Sequence, residues 1–245
     1  MLYTVKETPH FEGKEILFGL DESSTNEEIK EKAFQLLKKI RSMPAGTVKD
    51  GLPESRVIDF CLLSDGFFYF IASKGKNLHK QLMDVPYIVL SERIERWYSI
   101  RMLAHVTPIM DKKVWDEFFL YNKGTASMYA SNMHLLELFK LDAGEGEIFH
   151  LYADERLKRA RFAFGGMEVK PMNYTINDNC TACGNCLEAC VERAIVEDGD
   201  KYRISHMDCN DCGKCYVVCP AEAIDCRLYS EEWHERMMKS LELND

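Results

Sequence analysis

The 245-residue chain has no run approaching the roughly eighteen apolar residues that a membrane-spanning helix requires. Its opening, MLYTVKETPHFEGKE, lacks the basic-then-apolar pattern of a secretory signal, and the expected location is the cytoplasm. Basic residues are in deficit, with 31 Lys+Arg against 40 Asp+Glu and a net charge of −9, which argues against nucleic acid as a partner. No Walker loop, GxGxxG or Ser-His-Asp pattern stands out, so nucleotide hydrolysis and Rossmann-type dinucleotide binding have no support. Cysteine is almost missing from the first 170 residues, where Cys61 stands alone.

What is present is concentrated at the other end. The remaining nine of ten cysteines lie between Cys180 and Cys226. From Pro171 to Asp245 there are 7 Lys+Arg against 15 Asp+Glu, so nearly all the acidity belongs to this region. Such a lopsided negative field would draw a redox partner protein with a basic patch. In a chain without a secretory signal, cysteines spaced two apart favour metal binding over disulfides.

Two copies of one pattern occur: Cys180-x2-Cys183-x2-Cys186-x3-Cys190, and Cys209-x2-Cys212-x2-Cys215-x3-Cys219-Pro220. Gly184 and Gly213 follow the second cysteine of each run. Zinc is the competing reading, but structural zinc takes two separated Cys-x2-Cys hooks rather than three cysteines and a fourth. Over residues 173–226 the chain resembles the bacterial two-cluster [4Fe-4S] ferredoxins, in which the last cysteine of each run ligates the other cluster. The resemblance implies one cluster on Cys180, Cys183, Cys186 and Cys219, and another on Cys209, Cys212, Cys215 and Cys190. Val191 departs from it, standing where the family has proline. The lead-ins NYTINDNC and KYRISHMDC read as short strands. Cys61 and Cys226 fall outside the pattern and read as inert thiols.

The first 170 residues show a different organisation. Residues 26–42 read as an amphipathic helix capped by Thr25 or Asn26. KDG and SDG are turn signals between β-branched and aromatic runs. Strands are expected near 45–49, 55–63, 67–73, 86–91, 95–109, 147–154 and 157–164. Helices are expected over 75–83, 111–122, 131–140 and 230–243, with 165–173 as a linker. This order implies an α+β protein built on a small antiparallel barrel.

A hairpin turning about Asp65 pairs residues whose numbers sum to about 130, setting Arg56 opposite Lys74. With Ser73 and the start of the following helix they would make a phosphate pocket, unless both cations are simply solvated. The sequence PESRV, turn, aromatic strand, SKGKN, helix and L-x-x-x-P-Y resembles the FMN-binding split barrel of the pyridoxamine 5′-phosphate oxidase superfamily over residues 30–165. The resemblance implies that Arg56 and Lys74 bind the FMN phosphate, that Val57, Ile58, Ile71 and Ala72 run along the flavin ring, and that Ser73 and Asn77 are further contacts. It also implies a homodimer. The chain has no Arg-x-His pair, so the vitamin substrate of that family's oxidases is not expected.

The expected division is a split-barrel domain over 1–168 and a two-cluster ferredoxin domain over 169–245 with a C-terminal helix. The expected function is that of an iron–sulfur flavoprotein oxidoreductase passing single electrons between the clusters and FMN, to reduce a small organic acceptor. An electron carrier without its own substrate and a redox or ligand sensor are the alternatives.

Overall fold

The computed structural model of the chain describes residues 16–95, 98–150 and 158–227. The expected helix over 230–243, and the parts of expected strands at 96–97 and 151–154, lie outside them. A 3-10 turn at Ile16–Gly19 precedes α1, Asn26–Lys38. Thr25 caps α1 and Glu28 returns the bond, a reciprocal capping box that satisfies two orphan amides. The helix ends short of residue 42, because Ser42 already begins a strand.

Next come β1 (Ser42–Lys49), β2 (Leu52–Asp59), β3 (Cys61–Leu62), β4 (Phe68–Ser73), α2 (Asn77–Asp84), β5 (Tyr87–Glu95) and β6 (Tyr98–Ile109). They are followed by α3 (Lys112–Tyr121), α4 (Lys123–Met128), β7 (Leu136–His150) and β8 (Lys158–Phe164). The eight strands form one antiparallel sheet in the order β2-β1-β5-β6-β7-β4-β3, with β8 also paired to β7. Phe60 alone separates β2 from β3, so the two ends of that row are one continuous stretch and the sheet closes on itself. Along β7, residues 136–140 pair with β4 and residues 144–150 with β8, which splits the barrel at that edge. The sheet is the antiparallel split barrel expected from the sequence.

Two sequence expectations need correction. The stretch 131–140 is not a helix: a 3-10 turn at Met133–Leu135 leads directly into β7. Leu138 packs in a cluster with Tyr69 and Phe118, whereas Phe139 and Leu141 enter the barrel core. Both faces of the strand are therefore covered, which removes the alternation that identifies strands. The hairpin about Asp65 is also shorter than expected. Cys61 pairs with Tyr69 and Leu62 with Phe68, but beyond Phe60 the chain turns to β1, so Arg56 lies opposite Ala45 and not Lys74. That β1–β2 hairpin turns at Asp50 and Gly51, both at positive φ, as a two-residue Asp-Gly turn demands.

The barrel core gathers Ile29, Phe34 and Leu37 of α1 with Phe68, Phe70, Ile100, Phe139 and Phe162. Phe34 meets Phe68, Phe162 and Phe164 edge-on at centroid separations of 5.1, 6.2 and 5.2 Å. Edge-on aromatic pairs of this kind add to the burial energy.

The cysteine-rich region contains β9 (Tyr174–Ile176), α5 (Asn185–Ala189), β10 (Ile195–Asp198), β11 (Lys201–Ile204), α6 (Lys214–Val217) and β12 (Ile224–Cys226). Strands β10 and β11 form one ribbon and β9 and β12 another. This region is seated on the barrel. Met207 is 3% exposed and belongs to the barrel core, and its carbonyl accepts from the Arg159 amide at 2.8 Å. Lys158 pairs with Asp208, and Arg203 with Glu22 at 2.9 Å.

Candidate metal centre and cofactor site

The two cysteine runs fold alike. The first Cys-x2-Cys step of each run carries a left-handed residue, Ala182 at φ 53° and Asp211 at φ 59°. Each short helix opens at a left-handed glycine, Gly184 at φ 86° and Gly213 at φ 78°. A side chain at 213 would also strike the Tyr174 hydroxyl, so glycine is required there twice over. The amides of Ala194 and Ala223 donate to Cys190 Sγ and Cys219 Sγ at 3.3 and 3.4 Å, and the Asp211 amide to Cys209 Sγ at 3.3 Å. Hydrogen bonds to the charged form favour a thiolate.

The runs are interleaved. One cavity is lined by Cys180, Cys183 and Cys186 of the first run together with Cys219 of the second, closed by apolar Ile176, Ala223 and Ile224. In the other half Cys209, Cys212 and Cys190 all act on the Cys215 thiol. Burial, with those neighbours, pushes Cys215 up to about 12, and burial likewise pushes Cys209 up to about 11. Thiols held together in an apolar setting resist ionisation until a cationic centre compensates them, so this donor set fits metal–sulfur ligation. Among the described residues no three His, Cys, Asp or Glu side chains close on a single metal ion. Four thiols around a cavity are a wider arrangement than that. Cys61 and Cys226 line neither group.

The family model for a 4Fe-4S dicluster domain matches residues 168–224. Ferredoxin 7Fe of Hydrogenibacillus schlegelii is 38% identical over 72 residues, which are 28% of this chain and 92% of that protein. Through this region the chain belongs to the ferredoxin family. Its ferredoxin part is an iron–sulfur electron-transfer domain. DNA-directed RNA polymerase subunit Rpo3 of Archaeoglobus fulgidus is 34% identical over 102 residues, or 39% of this chain, and the chain spans only 37% of that subunit. Among solved structures, a NimC/NimA family protein of Clostridium acetobutylicum matches with a TM-score of 0.50 at 18% identity, covering 56% of this chain and 93% of its own. That likeness carries the barrel fold alone.

On the barrel, the residues expected to hold the flavin are partly brought together. Arg56 is half-buried and donates to Thr47, to Gln81 at 3.0 Å and to the Glu54 carbonyl at 3.3 Å, while pairing with the Glu54 carboxylate at 2.9 Å. It thus meets α2 at Gln81, one turn beyond Asn77. Lys74 is exposed, and its amide donates to Leu135 at 2.8 Å. No side chain caps the start of α2, which leaves its first amides and the positive end of its dipole open beside Lys74 and Lys76. Val57 is 67% exposed and Ile58 is buried. Ile71 and Ala72 pair with Leu138 and Glu137, and Ser73 closes β4. Lys76 was not singled out by the sequence, although Lys74-Gly75-Lys76 ahead of an uncapped helix signalled it. The residues are suited to an anionic group at the head of α2, provided Arg56 is shared with Glu54.

A second functional feature escaped sequence reading altogether. Asp211, inside the second cysteine run, accepts from Arg159 at 2.6 Å, from Arg161 at 2.8 Å and from the Asn173 amide at 3.1 Å. Both arginines are more than nine-tenths buried at the side chain, and Glu147 completes the group. Arg159 and Asp211 lie fifty-two positions apart. No local signal could have joined them.

Proposed function

We propose that the protein is an iron–sulfur flavoprotein oxidoreductase that passes single electrons between two [4Fe-4S] clusters and a bound FMN to reduce a small organic acceptor. The observation that carries this reading is the seating of the ferredoxin part: Met207 inserts into the barrel core and Asp211 is gripped by β8 from within a cysteine run. A carrier module that merely shared a chain would need no such fixed attachment. Cys180, Cys183, Cys186 and Cys219 hold one cluster in this reading, and Cys209, Cys212, Cys215 and Cys190 the other. Clusters supply one electron at a time and flavins exchange one or two, which is the chemistry the pair would combine.

The chain's own residues prepare the sites. Lys74 and the open amides of α2 attract the FMN phosphate, Arg56 anchors it from β2, and Ser73 and Asn77 add polar contacts. Val57, Ile58, Ile71 and Ala72 offer backbone and apolar surface to the ring. The exposed Val48 and Val57 give the outer sheet an apolar face suited to a second copy, consistent with a homodimer. The acidic ferredoxin part would receive a partner with a basic patch in the cytoplasm. The domain division falls at residue 168.

Anaerobic purification followed by iron, sulfide and flavin counts tests the reading. About eight irons per chain are expected, four in each cluster, with one FMN. Changing Arg56 and Lys74 together to Ala should release the flavin and leave the iron. Iron without flavin in the unaltered protein ends the flavoprotein reading.

A further inference from the structure

A cavity of about 420 Å³ lies over β5–β8 and is closed on one side by Asn210 and Asp211. It is separate from the head of α2, where the flavin phosphate is placed. Its size is within the range of small-ligand pockets. We propose that this cavity binds a small organic anion: a carboxylate with an apolar body, held beside the second cysteine run.

Charge is the first argument. Arg101, Arg159, Arg161 and Lys170 line the cavity against Glu145, Glu147 and Asp211, which leaves one cation in excess. Two of the three carboxylates are already used. Asp211 serves Arg159 and Arg161, and Glu147 serves Arg101. Lys170 has no ion pair among the described residues, and it stands exposed at the rim.

The second argument is independent of charge counting. Arg159 is 7% exposed, yet among the described residues its Nε has no hydrogen-bond partner, and the Glu147 carboxylate oxygen that it pairs with is 3.6 Å away. A buried cationic donor left without an acceptor is costly, and a ligand oxygen would supply one. Phe149 lies 5.6 Å from the Arg159 guanidinium carbon, so the group is fixed by packing and not free to turn to water.

The apolar body follows from the floor. Val89 and Leu103 are cross-strand neighbours on the face that lines the cavity, and Val89 is 48% exposed. Inorganic phosphate would leave that surface uncovered, whereas an organic carboxylate would bury it. Asn210 and Asp211 lie between Cys209 and Cys212, so the ligand would be separated from those thiols by one turn of chain. This deepens the proposed function by giving the acceptor a chemical class, and it rests on reading the second cysteine run as cluster ligands.

Benzoate is the probe, titrated into anaerobic, cluster-loaded protein by calorimetry, with its proton relaxation followed before and after reduction of the clusters. Saturable binding is expected, with relaxation enhanced when the neighbouring cluster becomes paramagnetic, and benzyl alcohol should not bind. Lys170→Gln should weaken binding about tenfold, and Glu145→Gln should strengthen it, because one removes an attracting charge and the other a repelling one. Lys170 is exposed and Glu145 half-buried with its side chain lining the open cavity, so a folded protein is expected in each case, checked by circular dichroism. Absence of saturable binding, equal binding of benzyl alcohol, or identical affinity in both variants overturns the inference. Iron and flavin counts on the same samples keep the two readings apart. Loaded protein that ignores benzoate overturns the anion site alone, and benzoate binding by protein without flavin overturns the flavoprotein reading alone.

Discussion

The amide of Arg159 donates to the carbonyl of Met207 at 2.8 Å, so the barrel strand β8 and the lead-in to the second cysteine run are joined backbone to backbone. The Met207 side chain continues the attachment into the barrel core. Met207→Ala should therefore destabilise the barrel, although residue 207 is only two positions from Cys209. The expected cost is about 2–5 kcal/mol, read from urea unfolding monitored at the barrel aromatics. A variant whose barrel unfolds unchanged would mean that the two parts are independent.

Asp211→Ala removes the shared partner of two buried arginines. Breaking a buried pair by deleting one member costs about 3–5 kcal/mol, because the remaining charge stays desolvated. Here two cations are stranded, and Glu147 is left to answer both. Asp211→Asn should cost less, since the amide oxygen can still accept a bond. The order of the two variants in chemical unfolding checks the role.

The interleaving of the cysteines has a test that counting iron can resolve. Cys180→Ser and Cys219→Ser should each remove about half the iron, and so should the double variant, because both residues line one cavity. Cys180→Ser combined with Cys190→Ser should remove nearly all of it. If the first double variant lost twice the iron of either single one, each run would hold its own cluster and the interleaved assignment would fail.

Acid sensitivity should trace in part to Asp142, which sits at the irregularity where β6 and β7 shift register after His105. Burial pushes its carboxyl up, but bonds from Thr107 at 2.7 Å and His105 at 2.8 Å outweigh burial and hold it below the ordinary carboxylate value. A depressed folded value means the stabilisation is complete above the unfolded value of about 3.9 and is lost as pH falls through the folded one. Asp142→Asn should flatten the stability profile below about pH 4, measured as urea midpoints across pH 3–6.

Legibility in the sequence followed the range of the interactions. Spacing alone was enough to single out both cysteine runs, and the capping box at Thr25 and Glu28 marked the start of α1. The Asp65 turn was read correctly where it acts, at Cys61 and Leu62, and wrongly nine residues out, at Arg56 and Lys74. A turn sets register only for the strands it joins, and Phe60 hands the chain to another partner. The first part of strand β7 was hidden because it serves two cores, with Leu138 facing one and Phe139 the other, whereas its end was expected as a strand from residue 147. The grip on Asp211 depends on residues brought near only by the closed sheet.

The matched turns at Ala182 and Asp211 share one backbone shape, but only the second carries a carboxylate for β8 to hold. A duplicated module has thereby lost its interchangeability: one copy has a berth and the other does not. Exchanging the two residues should leave both loops folded and loosen the seat of the ferredoxin part, since Met207, Asp208 and Arg203 keep their contacts while the two buried arginines lose theirs.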